Sequence, residues 1–161
     1  MTERDFNSCR TERRLRLLLH LRGMLGDEVV SSLGASTGEG LEVLRRFVGK
    51  GAPSRAVEGL QKELAAFGVP RPSQYVEVVA SRATRARRDT LTAEEGERLV
   101  RIAGTMARAL DVWEDRDDAA AFLNTRHPML DHETPMDRAR SEMGARQVDD
   151  LLTKLDLGLP V

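Results

Sequence analysis

A chain of 161 residues is long enough for one ordinary core, or for two small helical units that share an interface. Charged residues at 32% and hydrophobic residues at 40% fit a chain folded in water, and aromatic residues at 4% leave Leu, Val, Ala and Met to fill the interior, a composition that favours helices. The formal net charge of −1 excludes any argument for nucleic-acid binding from global charge, so such an argument must rest on where the arginines lie.

The opening "MTERDFNSCRTERRLRLLLHLRG" has an apolar run too short and too broken by Arg for a signal peptide, and no uninterrupted stretch of about 18 apolar residues occurs along the sequence. A cytoplasmic chain that does not insert into membranes is expected. Cys9 is alone, which rules out an intramolecular disulfide and a Cys-based zinc site. Residues 11–25 place Leu15, Leu18, Leu19 and Leu21 near one side of an amphipathic helix. "DEVVSSLG" and "GEGLEVLRRFVGKGAP" read as two further short helices, the second with Leu41, Leu44 and Val48 in register. The intervening "GASTGEG" lacks the Lys and Ser/Thr of a phosphate loop and has no strand before it, so it reads as a turn. Residues 1–52 thus form a helical extension of unassigned role, bounded by the Gly and Pro of "GKGAP".

From Pro53 the sequence reads as helix "SRAVEGLQKELAAFG", a "VPRP" turn, helix "SQYVEVVA" and then "SRATRARRDT". Short helices joined by tight turns are the helix-turn-helix pattern, which residues 53–90 are expected to form. In the last segment Arg82, Arg85, Arg87 and Arg88 face a single acid, Asp89. On a helix Arg82, Arg85 and Arg88 would project together toward phosphates or base edges, with Ser81 and Thr84 adding hydroxyl contacts; a solvated basic face is the plain alternative.

"LTAEEGERLVRIAGTMARALDVW" opens with a capping box, Thr92 and Glu95, and carries Leu99, Ile102, Met106, Leu110 and Trp113 at helical spacing. "DRDDAAAFLN" follows, capped by Asp115, with Ala119, Phe122 and Leu123 inward. The loop "TRHPMLDHE" holds His127, Asp131 and His132 in a spacing that fits no metal motif, so local hydrogen bonding is the expected role. Thr134, Pro135 and Asp137 start the next helix, Gly144 separates it from the last one, and that last helix carries Val148, Leu151, Leu152 and Leu155 before stopping at Gly158. The all-α chain then ends in "LGLPV", whose apolar atoms need a groove, its own or a partner's. Adjacent acids such as Asp117 and Asp118 diverge around a helix, and no nucleophile and base share a spacing logic, so nothing argues for an enzyme, a cofactor or a metal.

Ala119 to Leu123, Thr134-Pro135, and Gly144-Ala145-Arg146 with Val148, Leu151 and Leu152 together resemble the toxin-binding domain of Xre/MbcA/ParS-like antitoxins. The resemblance covers about residues 90–161, and "RATRARRDTLTAEEGERL" is similar to the segment that ends the Xre-like helix-turn-helix upstream in that family. The loop "NTRHPMLDHETP" departs from the Gly-Gly-type turn often found before the Thr-Pro pair, and residues 1–52 match no element of the family. The resemblance implies an antitoxin whose partner is a RES-domain toxin that consumes NAD or transfers ADP-ribose from it. It implies inhibition by occlusion, with Arg146, Lys154, Leu155, Leu157, Gly158, Leu159, Pro160 and Val161 as toxin-binding residues. It further implies autoregulation at operator DNA through Ser81, Arg82, Thr84, Arg85, Arg87 and Arg88, with a homodimer inside a toxin-antitoxin hetero-oligomer. The competing expectations are a stand-alone transcriptional regulator whose C-terminal part only dimerises and, more remotely, an enzyme using the His127 loop.

Overall fold

The computed structural model of the chain describes residues 20–22 and 48–161. The helices expected over residues 11–25 and up to Val48, the "GASTGEG" turn and Cys9 lie outside the described residues, apart from helical His20–Arg22 and the helical pair Val48 and Gly49. All regular structure among the described residues is helical, as expected. Seven α-helices follow in order: α1 Arg55–Ala66, α2 Pro72–Val79, α3 Arg82–Arg87, α4 Ala93–Trp113, α5 Arg116–Asn124, α6 Pro135–Arg138 and α7 Glu142–Asp156, with a 3-10 turn at Pro128–Leu130 before α6.

The longest helix, α4, organises the rest because its 21 residues span roughly 31 Å at 1.5 Å per residue. Its start follows from the capping box: Thr92 accepts from the Glu95 backbone N–H at 3.3 Å, and the Glu95 carboxylate accepts from the Thr92 N–H at 2.8 Å. Leu99, Ile102 and Met106 are fully buried along one stripe, each contributing roughly 1.5–3 kcal/mol of transfer free energy. α7 packs along α4 and runs parallel to it. Arg101 donates to the Arg140 carbonyl just before α7, and Arg108, two turns further along α4, meets Asp149 at 3.7 Å and Asp156 at 3.6 Å. Both helices therefore finish at the same end of the molecule.

One continuous set of buried side chains runs from Leu21 and Ala52 through α1, α2 and α4 to Val148, Leu151 and Leu152 of α7. The two places where a boundary is expected from sequence, near residues 52 and 90, meet in space. Pro53 and Thr90 form an isolated antiparallel bridge, the Leu91 N–H donates to the Ala52 carbonyl at 2.8 Å, and the Ser54 N–H donates to the Asp89 carbonyl at 2.8 Å. Ser54 precedes α1 yet its hydroxyl does not cap that helix; it donates to the Arg88 carbonyl at 2.6 Å.

Gly144 differs from its expected role as a break. Ser141 caps α7 by accepting from the Gly144 N–H at 3.0 Å, which puts Gly144 inside the first turn, and the chain breaks earlier, at Ala139 to Ser141. There the helix passes so close to the end of α6 that a Cβ on Gly144 would lie inside the contact shell of the Arg138 carbonyl oxygen and 2.8 Å from the Ser141 hydroxyl.

Candidate functional site

The arginine segment is organised by α2. Ser81 caps the six-residue α3, accepting from the Thr84 N–H at 3.2 Å and sharing a 2.9 Å hydroxyl hydrogen bond with Thr84. No residue of α3 is buried. The helix is held from outside instead: the Arg85 guanidinium donates to the Ala80 carbonyl at 2.9 Å and, at 3.3 Å, to the Val76 carbonyl, which also accepts the Ala80 N–H. Its other nitrogen lies 3.7 Å from Glu77. Arg88 has left the helix, in extended conformation, and its guanidinium pairs with Glu95 at 2.8 Å.

The six expected DNA-binding residues thus do not converge as a single row. Ser81 and Thr84 cap, Arg85 and Arg88 brace the segment against α2 and α4, and Arg82 and Arg87 project with guanidinium groups that hold no ion pair among the described residues. Burial alone would raise the Glu95 carboxyl, but the Thr92 N–H and the Arg88 charge outweigh it and hold it below its ordinary value. Glu95 therefore stays ionised and serves two purposes, starting α4 and anchoring the end of the arginine segment.

At the other end of α4, the final helix closes with a second capping device. The Gly158 N–H donates to Leu155 at 3.0 Å and the Leu159 N–H donates to Lys154 at 2.9 Å, the paired pattern of a Schellman motif, with Gly158 at φ +65. The same motif ends α1 at Gly68, φ +67, where the residue after the glycine, Val69, is buried. After Gly158 the corresponding residue, Leu159, is 49% exposed, with Leu157 at 66% and Val161 at 48%. An apolar residue that usually seals the motif against its own helix is here turned out to solvent.

The expected toxin-binding residues divide along α7. Leu155 packs against the core, Leu157 to Val161 form the exposed tail, and Lys154 lies half-buried in the last turn. Arg146 stands apart, paired with Glu142 at 2.5 Å on the outer face of the first turns, ten positions or roughly 15 Å before Asp156. Arg108 secures the end of the helix that carries the tail, because it also holds Asp111 at 2.9 Å and so ties Asp156 to α4.

Sequence patterning placed Trp113 in the buried stripe of α4, and in the structure it is 37% exposed. Its ring rests on Phe122 at 5.9 Å and 41°. The signal for this was positional: Trp113 is the last residue of α4, where the stripe runs past the helices that cover it.

The loop between α5 and α6 is held by local hydrogen bonds and an ion pair. His127 accepts from the Met129 N–H through Nδ1 at 3.2 Å, starting the 3-10 turn, and Asp131 pairs with Arg138 at 2.5 Å. Among the described residues no three His, Cys, Asp or Glu side chains are grouped to hold a metal ion, and no helix is long and apolar enough to cross a membrane.

Residues 108–158 match the family model of the antitoxin Xre/MbcA/ParS C-terminal toxin-binding domain. Over this stretch the chain is similar to the toxin-binding domain of the Xre/MbcA/ParS antitoxins. The matched region begins at Arg108, takes in Trp113, the whole of α5, α6 and α7, and ends at the Gly158 stop. The match implies a toxin partner, and the resemblance read from the sequence is confirmed over that region. No curated protein matches the chain.

Proposed function

We propose that this chain is the antitoxin of a RES-domain toxin that consumes NAD or transfers ADP-ribose from it, and that it neutralises the enzyme by covering its NAD cleft with residues 155–161. The observation that carries the proposal is the exposed apolar tail beyond the Gly158 stop, at the end of a toxin-binding domain. Leu157, Leu159 and Val161 gain little from water and would gain by entering an enclosed site, at about 25 cal/mol per Å² of apolar surface removed from water. Pro160 restricts the backbone of the tail, so less freedom is lost when it docks. Neutralisation of this kind requires binding alone and no turnover by the antitoxin.

The second part of the proposal is autoregulation in the cytoplasm by a dimer of the antitoxin bound to operator DNA. α2, the Ala80-Ser81 link and α3 act as a helix-turn-helix, with Arg82 and Arg87 reaching phosphates while Arg85 and Arg88 hold the segment in place. The arginine segment and the tail stand at opposite ends of α4, roughly 30 Å apart, which leaves room for toxin and DNA on one antitoxin molecule.

Co-expression with the product of the adjacent reading frame tests the proposal, comparing the full chain with a version ending at Asp156 and reading growth alongside cellular NAD. Rescue by the full chain alone supports it. A harmless neighbour, or equal rescue by both versions, contradicts it and favours a stand-alone regulator.

A further inference from the structure

The end of the molecule where α4 and α7 finish exposes more than the tail. Trp113 closes α4 there, packed against Phe122 and 37% exposed, and the parallel course of the two helices brings it to the same end as Leu157, Leu159 and Val161. The residues that follow it are acidic: Glu114, Asp115, Asp117 and Asp118 run from the end of α4 into the first turn of α5, with Arg116 among them, while Asp111 and Asp156 are taken up by Arg108. Arg108 and Arg116 are engaged elsewhere. Arg108 is held among Asp111, Asp149 and Asp156, and Arg116 lies over the Phe67 ring at 4.4 Å and pairs with Glu63 at 2.9 Å. Asp117 and Asp118 are exposed on the first turn of α5, and their carboxylates hold no partner among the described residues.

We infer that Trp113, with the acidic first turn of α5 beside it, is a second part of the toxin-docking surface and meets the basic rim of the toxin's dinucleotide cleft. This rests on the reading of the partner as an NAD-using toxin. Trp113 lies inside the matched region, so the surface is continuous in sequence with a stretch similar to a toxin-binding domain. A half-exposed tryptophan already fixed by Phe122 loses little rotamer freedom on docking, the property that makes tryptophan a dominant contributor to interfaces. A cleft that holds a pyrophosphate presents positive potential, from cationic side chains or from backbone N–H groups at a helix N-terminus, and an acidic end complements it where Lys154 and Arg146 would not. The antitoxin on this view presents to the toxin the charge of its substrate, with the apolar tail taking the place of the nucleoside portion.

The test uses the full chain and the purified product of the adjacent reading frame, with affinity by calorimetry and association rate by stopped flow at low and high ionic strength. Trp113→Ala should weaken binding about tenfold or more, and Trp113→Phe by less. The pair Asp117→Asn and Asp118→Asn should slow association several-fold at low salt, with the difference closing at high salt. These two aspartates have no packing role, so the charge arm stands even if Trp113→Ala perturbs folding. Binding by both variants within about twofold of the wild type, at both ionic strengths, overturns this inference alone. Failure of the wild-type chain to bind overturns the toxin reading and the inference together.

Discussion

The Tyr75 hydroxyl donates a 2.9 Å hydrogen bond to Asp137 Oδ1 across 62 positions of sequence, tying α2 to the first turn of α6. The other carboxylate oxygen of Asp137 accepts from the Thr134 hydroxyl at 2.9 Å, and Arg140 lies 5.8 Å from the Tyr75 ring centroid. One aspartate thus completes the start of α6 and fastens the helices beside the arginine segment to the toxin-binding domain.

Tyr75→Phe should lower stability by about 1–2 kcal/mol, since a hydrogen bond to a charged group is lost while the ring stays in place. A double-mutant cycle with Asp137→Ala checks it: the two changes should couple by about 1 kcal/mol rather than add. Burial, then the hydrogen bond and the charge of Asp137, hold the Tyr75 hydroxyl above its ordinary value near 10. A folded-state value raised above the unfolded one gives stability that is complete below about pH 10 and is lost as pH rises further. Chemical denaturation from pH 8 to pH 11 should therefore show a steeper alkaline decline for the wild type than for Tyr75→Phe.

Arg85 and its neighbours should separate structure from recognition. Arg85→Ala removes the donors that close α2 and should cost about 1–2 kcal/mol, seen in urea unfolding. Arg82→Ala and Arg87→Ala should change stability by less than about 0.5 kcal/mol. If Arg82 and Arg87 contact operator phosphates, each removal should also reduce the slope of log affinity against log salt by roughly 0.9 in a titration with promoter DNA.

Gly144→Ala should destabilise the protein by about 2 kcal/mol or more, although alanine is the better helix former by about 1 kcal/mol. The added methyl collides with the Arg138 carbonyl, which is backbone and cannot swing aside. A thermal melt that rises on this substitution would contradict the close packing of α6 on α7.

Gly158→Ala tests the direction of the tail. A Cβ at φ +65 costs about 1–2 kcal/mol, but only the frayed end of α7 feels it. Global stability should therefore change little while toxin affinity falls several-fold, because Leu159 and Val161 no longer leave the helix along the same path. A change in melting temperature without a change in affinity would contradict this.

Much of the fold was legible because its start signals are chemically local. Thr92 with Glu95, Asp115, and Thr134 with Pro135 and Asp137 each cap where their spacing says they should, and the Leu99, Ile102 and Met106 stripe is buried as its period requires. What sequence could not give depends on neighbours distant in the chain. Gly144 reads as a helix break, yet it marks a close approach set by α6. Arg85 and Arg88 read as a row with Arg82, but the Val76 and Ala80 carbonyls at the end of α2 and the carboxylate of Glu95 claim them, and a spacing rule carries no information about such partners. Trp113 continues an apolar period beyond the point where other helices cover it, so periodicity predicts its burial and packing leaves it out.

The most direct test of the central claim is the loss of NAD catalysed by the purified product of the adjacent reading frame, measured against increasing concentrations of this chain. The account predicts inhibition that saturates near one antitoxin per toxin active site and that a chain ending at Asp156 cannot reproduce. NAD loss that continues unchanged at saturating full-length chain would contradict it.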